Sequence, residues 1–484
     1  MADTLFDTLP DEAGGWGSVP TRGPVRTGPG GVRQGGRSEV RLRFDATDPA
    51  LAAAAWSRLA EPGDEAAGAL VQHLGAVDAL EWVLEAVRAP GRAEATLRRI
   101  LARASSPGRP AHAADLPGRI LPVPAGGPAA GGRGPVPTGG AGLAAATAVE
   151  PAAVVTPDAV GRLLAGVRRW SGRLPGLDPE GDLKVLARYD GTLLVPGDPR
   201  WPAGLDDLGA ISPFALWVRG SADLGALVAR SVAVVGSRAC TDYGAHVGGR
   251  LAAGLTHRGF TVVSGGAYGV DTAVHHGALA AGGPTVAFLA GGVDRLYPAG
   301  NSDLLRRTTE EGAVVSEVPP GSVPGKQRFL KRNRLIAAVT GATIVVEASV
   351  RSGALSTANH ATRLFRPLGV VPGPVTSMAS AGCHELLRQG AAVCVTDAAE
   401  AAELAGHAGV DAAPERQGET RPGDDLDPAG RAVLDALPVR QAAAAEAVAR
   451  VAGLSVMETL GALGILELRG LAENQDGSWR LRRS

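Results

Sequence analysis

The sequence has few cysteines, few lysines and no long apolar run. Its only cysteines, Cys240, Cys383 and Cys394, are widely spaced and form no CxxC pair. This spacing argues against a disulfide framework and against a zinc site. No uninterrupted apolar run reaches the roughly 18 residues that a membrane-spanning helix needs, and the acidic N-terminal stretch lacks the apolar segment of a secretory signal. We therefore expect a cytoplasmic protein with no membrane contact, no metal and no other cofactor.

The overall composition is that of a globular protein with more than one domain. At 484 residues, of which 45% are hydrophobic and 20% are charged, the chain is long enough for two or three hydrophobic cores. The 68 glycines and 35 prolines indicate substantial irregular chain. The formal net charge of -1 does not decide whether the partner is a nucleic acid, because a single groove can be basic on a neutral protein.

Composition also predicts the domain organisation. The first residues are rich in Gly, Pro and Arg with little to bury, helical apolar spacing begins at Ala52, and PAGGPAAGGRGPVPTGGAG is of low complexity. The predicted segments are a disordered terminus (1–45), a helical module (46–104), a low-complexity insertion (105–158), an α/β domain (159–396), a linker (397–427) and a C-terminal domain (428–484).

The central segment predicts a doubly wound α/β domain. From Ser231 to Thr396, helical segments alternate with the β-branched runs VAVVGS, TVVSGG, TVAFLAGG, AVVSE, ATIVVEA and GVVPG. Near-continuous apolar strands of this kind are buried on both faces of a parallel sheet, and such sheets bind ligands at the carboxyl ends of their strands. Upstream, the pattern predicts a helix over 160–174 and strands over 185–189 and 192–195.

The C-terminal segment predicts three helices followed by a β-hairpin. Helical patterns lie near 428–437 and 442–451, and a capping box formed by Ser455 and Glu458 opens a third helix. The dipeptide Asp476-Gly477 is a hairpin turn signal. This set of elements predicts a winged-helix domain.

The densest positive charge is the run K-Q-R-F-L-K-R-N-R at 326–334. It holds five cations and one phenylalanine without a carboxylate, and it contains Lys326 and Lys331, whereas the third and last lysine of the chain is Lys184. Cations at backbone spacing beside an aromatic ring suit a single-stranded nucleic acid, because they meet its phosphates and an unstacked base. The alternative interpretation is a solvated, charged helix end.

Three strand-to-helix turns add signals for phosphate binding. Glycines allow close approach of a ligand, and the amides at a following helix start favour negative charge. None of the turns has the GxGxxG spacing of a dinucleotide site, and the Walker-like stretch 320–326 is followed by Gln327 instead of Ser or Thr. Neither a dinucleotide nor ATP hydrolysis is therefore indicated. The candidate residues are Gly236, Ser237 and Arg238, then Gly265, Gly266 and Gly269, and then Ser352, Gly353 and Thr357.

Together, these motifs resemble the bacterial DNA-processing protein A (DprA/Smf) family. The resemblance rests on VAVVGSR, SGGAYGVDTAVHHGAL, GGVDRLYPAGN, AVVSE, F-x-x-RNRLIAA, IVVEA, SGALSTA and VPGP, which cover about 231–396. A weaker match extends upstream through GDPRWPAGLDDL and FALWVRGS. Three departures are Leu330, where the family usually has proline, His384, near where asparagine is common, and the insertion 105–158.

The resemblance implies both a fold and a function. The implied fold is an extended Rossmann-like parallel-sheet domain with an N-terminal helical (SAM/HhH-like) domain and a C-terminal winged-helix domain. The implied function is that of a homodimeric, non-enzymatic recombination mediator that binds single-stranded DNA, protects incoming DNA and loads the RecA recombinase in natural transformation. The implied DNA contacts are Gly236, Ser237, Arg238, Lys326 and Phe329, with Arg332, Asn333 and Arg334 in support and Ser352–Thr357 as a backbone contact.

Two alternative functions remain open from the residues. The first is a nucleotide-binding enzyme of the nucleoside monophosphate hydrolase type, for which Glu347 is the candidate acid. The Gly-Gly-x-Gly-Thr motif of such enzymes is replaced here by Ser-Gly-Ala-Leu-Ser at 352–356. The second is a duplex-reading regulator, but its predicted recognition helix, Val456–Leu466, contains no Lys or Arg. For that domain, protein docking is therefore favoured over duplex recognition.

Overall fold

The computed structural model of the chain contains two compact units. One lies within Met1–Glu180 and the other within Gly181–Ser484. Most of the predicted disordered terminus and of the predicted insertion lies outside the described residues. The described residues are 42–104, 157–221, 223–415, 423 and 425–482.

The first unit is helical and is centred on two tryptophans. Its helices are α1 (Pro49–Leu59), α2 (Glu65–Arg88), α3 (Pro90–Ala104) and α4 (Pro157–Ser171). Asp48 and Asp64 cap α1 and α2 by accepting hydrogen bonds from the first amides of each helix. The Trp56 and Trp170 rings meet edge to face with their centroids 5.5 Å apart. The assignment of this unit as a SAM/HhH-like domain stays a prediction.

The second unit is built on a nine-stranded sheet. Its strands are β1 (Thr192–Leu194), β2 (Leu216–Gly220), β3 (Ser231–Val235), β4 (Thr261–Ser264), β5 (Thr285–Phe288), β6 (Ala313–Ser316), β7 (Ala342–Val345), β8 (Leu368–Val370) and β9 (Val393–Cys394). Their order is β1-β2-β6-β5-β4-β3-β7-β8-β9. All neighbours from β6 to β9 run parallel, whereas β1 and β2 extend the β6 edge in antiparallel pairs. The parallel-dominated α/β fold that the apolar runs predict is therefore confirmed.

Helices cover both faces of this sheet. They are α6 (Leu224–Val228), α7 (Asp242–His257), α8 (Val270–Ala280), α9 (Ser302–Glu311), α10 (Lys326–Val339), α11 (Ala354–Arg363), α12 (Ala381–Arg388) and α13 (Ala398–Ala405), whereas helix α5 (Pro179–Ala187) precedes β1 in the sequence. Successive strand residues point to opposite faces. Val235 accordingly shares a core with Leu335 of α10, whereas Val234 shares a separate core with Leu251 of α7. Burial on both faces explains why the strands are apolar without alternation.

The C-terminal part has a core of its own. It contains α14 (Pro428–Ala436), α15 (Ala445–Ala452), α16 (Val456–Leu468) and a sheet of β10 (Ala443–Ala444), β11 (Ala472–Gln475) and β12 (Ser478–Leu481). The capping box of Ser455 and Glu458 is confirmed at the start of α16. The hairpin turn is confirmed too, because Asp476 and Gly477 both have positive φ and connect antiparallel β11 and β12. The assignment as a winged helix stays a prediction.

No single helix among the described residues is long and apolar enough to cross a membrane. Helices α15 and α16, which are bent by 103° relative to each other, meet the length and composition requirements only as a pair. Both helices contribute side chains to the buried core of the C-terminal part.

Two stretches differ from the expectation. Residues 185–189, which predict a strand, instead end helix α5 and enter a turn at Asp190. A short apolar run fits the buried face of a helix as well as it fits a strand. The predicted linker 397–427 begins with helix α13, in which Ala401 and Ala402 are buried against the sheet. Alanine carries little apolar surface, so its burial is hard to recognise from the sequence.

Helix α8 carries a histidine inside the core. His275 is buried, and its Nδ1 lies 2.8 Å from Thr285 Oγ1, which donates its own hydrogen to Val262 O at 2.7 Å. Nδ1 is therefore the protonated nitrogen, and Nε2 has no hydrogen-bond partner among the described residues. Burial, with smaller contributions from His276 and Arg332, lowers the pKa of His275 to about 3.

We expect this buried histidine to make folding stability depend on pH. An unfolded histidine binds a proton near its ordinary pKa of 6.5, whereas folded His275 does so only near 3. Stability is therefore lost as the pH falls between these values, because the unfolded state binds more protons. Relative to His275→Gln, the wild type should lose up to about 1.4 kcal/mol of unfolding free energy per pH unit. Denaturant titrations from neutral to mildly acidic pH measure this difference, and parallel profiles would contradict it.

Candidate nucleic-acid interface

The strand order reverses at β3, and this places a crevice at the carboxyl ends of β3 and β7. From β3 the chain continues through β4, β5 and β6 on one side and later through β7 and β8 on the other. Such a reversal is where doubly wound sheets bind their ligands. The turn after β3 is anchored there, because Ser237 N donates to Glu347 O at 2.7 Å and Ser237 O accepts from Val270 N at 3.2 Å.

Two predicted DNA contacts from distant parts of the chain touch each other at this edge. The Arg238 guanidinium lies over the Phe329 ring, 4.3 Å from its centroid, which is within cation–π range. Arg238 and Lys326 are exposed, and Phe329 is half-buried in the first turn of α10. The Tyr297 ring centroid lies 6.1 Å from that of Phe329. The structure therefore brings the three most specific predicted contacts to one surface.

Arg332, which was expected to support DNA binding, is an internal anchor. It is 5% exposed, and its guanidinium donates to Gly265 O at 2.7 Å and to Phe288 O. Its Nε donates to Asn333 Oδ1 at 3.1 Å. Burial lowers the pKa of Arg332 to about 10, so the side chain stays charged at neutral pH. Its charge is directed to carbonyls of the interior, and the structure gives it a structural role in place of the predicted contact.

Arg334 and Asn333 are likewise occupied within the protein. Arg334 is 1% exposed and forms two hydrogen bonds with the Glu317 carboxylate, at 2.7 and 2.6 Å. It also donates to Ile211 O at 2.8 Å. Asn333 is buried, and its Nδ2 donates to Gly353 O at 3.3 Å. Because neither side chain reaches the surface, both residues have packing roles here, and the direct DNA contacts predicted for them are not seen.

The glycines after β4 make room for neighbouring protein atoms. A Cβ at Gly265 would lie 2.5 Å from the Arg332 guanidinium, and a Cβ at Gly269 would lie 2.3 Å from Ser237 O. Gly266 and Gly269 also have positive φ angles of 69° and 81°, which favour glycine. Close packing therefore requires glycine at these positions, and the phosphate-binding role predicted for this loop stays a prediction. Gly236 follows the same rule, since its Cβ would lie 2.5 Å from the Val270 side chain.

The turn before α11 is the more open of the predicted loops. A Cβ at Gly353 would meet nothing within 4 Å, and Gly353 is exposed. Ser352 Oγ accepts a hydrogen bond from Ala354 N at 3.3 Å, as a helix cap does. Thr357, however, is 2% exposed, so its side chain does not reach a ligand. The accessible part of this turn is therefore its backbone at 352–353.

Near the Arg238–Phe329 pair, the carboxylates Glu347 and Asp271 are buried whereas several cations are exposed. Glu347 is buried and accepts hydrogen bonds from the amide and the hydroxyl of Thr241, both at 2.8 Å. Asp271 is buried as well, and its burial raises the pKa of this carboxyl above its ordinary value. Within the part of the chain that the structure describes, no group of three or more His, Cys, Asp or Glu could hold a metal ion. Exposed cations among the described residues of this edge include Arg238, Lys326, Lys331 and Arg351.

Sequence reasoning missed residues that organise this edge. Asn301 Nδ2 donates to Gly266 O at 3.1 Å and to Ala267 O at 3.2 Å, which holds the turn after β4. Tyr297 lies beside Phe329, and Glu317 pairs with Arg334. The motif GGVDRLYPAGN contains Tyr297 and Asn301, and AVVSE ends in Glu317. The sequence signal for the ion pair between Glu317 and Arg334 was a single carboxylate directly after a predicted strand, in a chain with a concentrated basic run.

The fold and this surface define a doubly wound, Rossmann-like α/β protein with a cationic and aromatic surface at the carboxyl edge of its parallel strands. The family model for DNA recombination-mediator protein A matches residues 192–406. A Mycobacterium tuberculosis protein named "Putative DNA processing protein DprA" is 50% identical over 316 residues, which span 63% of this chain and 80% of that protein. The chain therefore belongs to the DprA/Smf family of recombination-mediator proteins, as its motifs predict.

Two solved structures are similar to part of the chain. The X-ray structure of DNA processing protein A from Streptococcus pneumoniae has a TM-score of 0.46 and 34% identity. The match covers 52% of this chain and 86% of the S. pneumoniae chain. The protein of the same name from Helicobacter pylori has a TM-score of 0.40 and 29% identity, with coverage of 44% and 94%. The H. pylori protein is described as having a unique single-stranded DNA binding mode.

The buried pair of Arg334 and Glu317 should affect stability and not nucleic-acid contact. Arg334→Met leaves a buried carboxylate unpaired, which typically costs about 3–5 kcal/mol, and the melting temperature should fall by roughly 5–15 °C. The double variant Arg334→Met/Glu317→Leu should recover most of this loss, because an apolar pair can replace a buried ion pair. Thermal unfolding measures both effects. A single variant as stable as the wild type would contradict the assignment.

Proposed function

We propose that this protein binds single-stranded DNA along the carboxyl edge of its parallel strands. The observation that carries the proposal is the meeting of Arg238, Lys326 and Phe329 at one surface, although they come from segments about ninety residues apart in the sequence. The two cations match backbone phosphates. The phenylalanine offers a ring face to a base. A base inside a duplex is already stacked on both sides, so this combination favours unpaired strands.

The helix termini at this edge support the same ligand. Helix α10 begins at Lys326 and has no acidic residue in its first turn. Cations at a helix N-terminus add to the positive end of the helix dipole, and this combination is relieved by a bound anion. The exposed backbone at 352–353 precedes α11 and offers a second such terminus. A strand with several phosphates can use both termini, whereas a mononucleotide would use one.

We propose further that DNA binding serves recombination and not catalysis. The chain belongs to a family of recombination mediators, and we propose that it protects incoming DNA and loads the RecA recombinase in natural transformation, as a cytoplasmic homodimer. Glu347, the acid that a nucleotide-hydrolysing alternative would need, is buried and accepts hydrogen bonds from Thr241 through both carboxylate oxygens. That commitment supports the non-enzymatic proposal.

The C-terminal part is proposed to be a winged helix that contacts protein. In this proposal helix α16 is the recognition helix, and Met457, Leu460 and Leu468 are exposed on it. It contains no Lys or Arg, whereas helices that read a DNA groove place basic or amide side chains there. These features support protein docking over duplex recognition.

Removing the phosphate contacts should weaken single-strand binding and reduce its salt dependence. Arg238→Ala and Lys326→Ala should each flatten the slope of log affinity against log salt by about 0.7, because binding with one phosphate contact fewer releases fewer counterions. Fluorescence anisotropy of a labelled oligonucleotide across a salt series measures both quantities.

The matched control for these variants is Lys184→Ala. Lys184 is exposed on helix α5 and is the one lysine outside the basic run, so its loss should leave affinity and slope at wild-type values. A duplex of the same sequence should compete poorly. Unchanged slopes for both Arg238→Ala and Lys326→Ala, or equal affinity for duplex, would count against the proposal.

The mediator role should appear as faster recombinase assembly. On single strands already coated with single-strand binding protein, the wild-type chain should accelerate RecA filament formation. The rate of ATP hydrolysis by RecA measures this acceleration. The double variant Arg238→Ala/Lys326→Ala should lose most of this stimulation, because it no longer holds the strand. If the wild type binds single strands tightly without any stimulation of RecA, the mediator role is wrong while DNA binding stands.

A further inference from the structure

Two exposed tyrosines lie at the same edge as Phe329. The chain has only 4 tyrosines, at 189, 243, 268 and 297. Tyr268 is 47% exposed and Tyr297 is 38% exposed. Both follow strands of the parallel sheet, Tyr268 after β4 and Tyr297 after β5. Tyr243, in the first turn of α7, also lies at this edge, but its hydroxyl donates to Pro372 O on the β8 side. Tyr268 and Tyr297 lie on the β4–β5 side.

Tyr297 belongs to the cluster around Phe329. The two ring centroids are 6.1 Å apart and the ring planes are inclined by 47°, which is within the range for aromatic pairs. The Arg238 guanidinium contacts the same phenylalanine at 4.3 Å. Tyr297 therefore continues an aromatic surface beside the cation, and much of its ring remains accessible to solvent.

Tyr268 is held between the Arg238 turn and the segment that carries Tyr297. Its hydroxyl accepts a hydrogen bond from Gly300 N at 3.2 Å, and a Cβ at Gly300 would lie 2.8 Å from that hydroxyl oxygen. On its other side in sequence, a Cβ at Gly269 would lie 2.4 Å from Arg238 O. The ring is thus positioned by its neighbours, yet it stays nearly half exposed instead of entering the core.

We propose that Tyr268 and Tyr297 extend the surface at Phe329 into a strip of three rings, which stack on unpaired bases of one bound strand. The inference rests on the proposed single-strand binding and adds to it the groups that take the bases. Rings fixed by packing lose little entropy on binding and accept any base, because every base has a π face. The strip therefore predicts affinity for bases with little sequence preference.

Separate variants test the two rings. Tyr268→Leu and Tyr297→Leu should each weaken binding of an unstructured oligonucleotide about tenfold, with no change in salt slope, since neither ring meets a phosphate. Tyr268→Phe and Tyr297→Phe keep the rings and should bind like the wild type. Phe365→Leu is the matched control, because Phe365 is 96% exposed just before β8, at the opposite edge of the sheet.

An oligonucleotide with abasic sites separates base stacking from other effects. The wild type should bind it more weakly than the intact strand, and each leucine variant should show a smaller penalty for the missing bases. Ultraviolet crosslinking of an iodouracil-substituted strand to the wild-type protein, followed by peptide mapping, should identify Tyr268 or Tyr297. This second measurement remains informative if a leucine variant folds poorly, which thermal unfolding would reveal.

Three outcomes would overturn the inference. They are wild-type affinity in both leucine variants, an undiminished abasic penalty in them, and crosslinks found only elsewhere. Phenylalanine variants as weak as the leucine variants would also count against stacking, because the hydroxyl would then be the binding group. These failures are distinct from failure of the proposed function, which would appear as wild-type salt slopes in Arg238→Ala and Lys326→Ala.

Discussion

The buried guanidinium of Arg332 is the contact on which this edge of the protein depends. It joins helix α10 to the carboxyl ends of β4 and β5 through Gly265 O and Phe288 O. Through Asn333 it also connects to the turn before α11, because Asn333 accepts from Arg332 and donates to Gly353 O. A charge this deeply buried is tolerated only when its hydrogen bonds are satisfied. The same guanidinium explains why residue 265 must lack a side chain.

The basic run at 326–334 has a buried part with a structural role and an exposed part at the start of α10. Arg332 and Arg334 lie inside the protein and direct their charges to carbonyls and to Glu317. In the first turn of α10, by contrast, Lys326 is exposed and Phe329 meets Arg238. The buried cations therefore fix the position of the exposed ones. A surface fixed by interior contacts is preorganised, which would lower the entropic cost of the proposed strand binding.

Hydrogen bonds at the same edge also fix the position of Tyr268. Asn301 holds the turn after β4, and the Gly300 amide holds the hydroxyl of Tyr268. Phosphates and bases would then be received by separate groups, cations for the former and rings for the latter.

Much of this protein could be predicted from its sequence, and the remainder had a physical reason to be hidden. The six apolar runs determine the buried parallel strands β3–β8, and the motifs around Arg238, Lys326 and Phe329 determine the family. Local signals such as the Ser455 capping box were equally readable. What only the tertiary structure decided was which cations face water. Arg332 and Lys331 are neighbours in a basic run, yet one is buried and the other is exposed. Sequence records charge, whereas burial depends on which side of a helix meets the sheet.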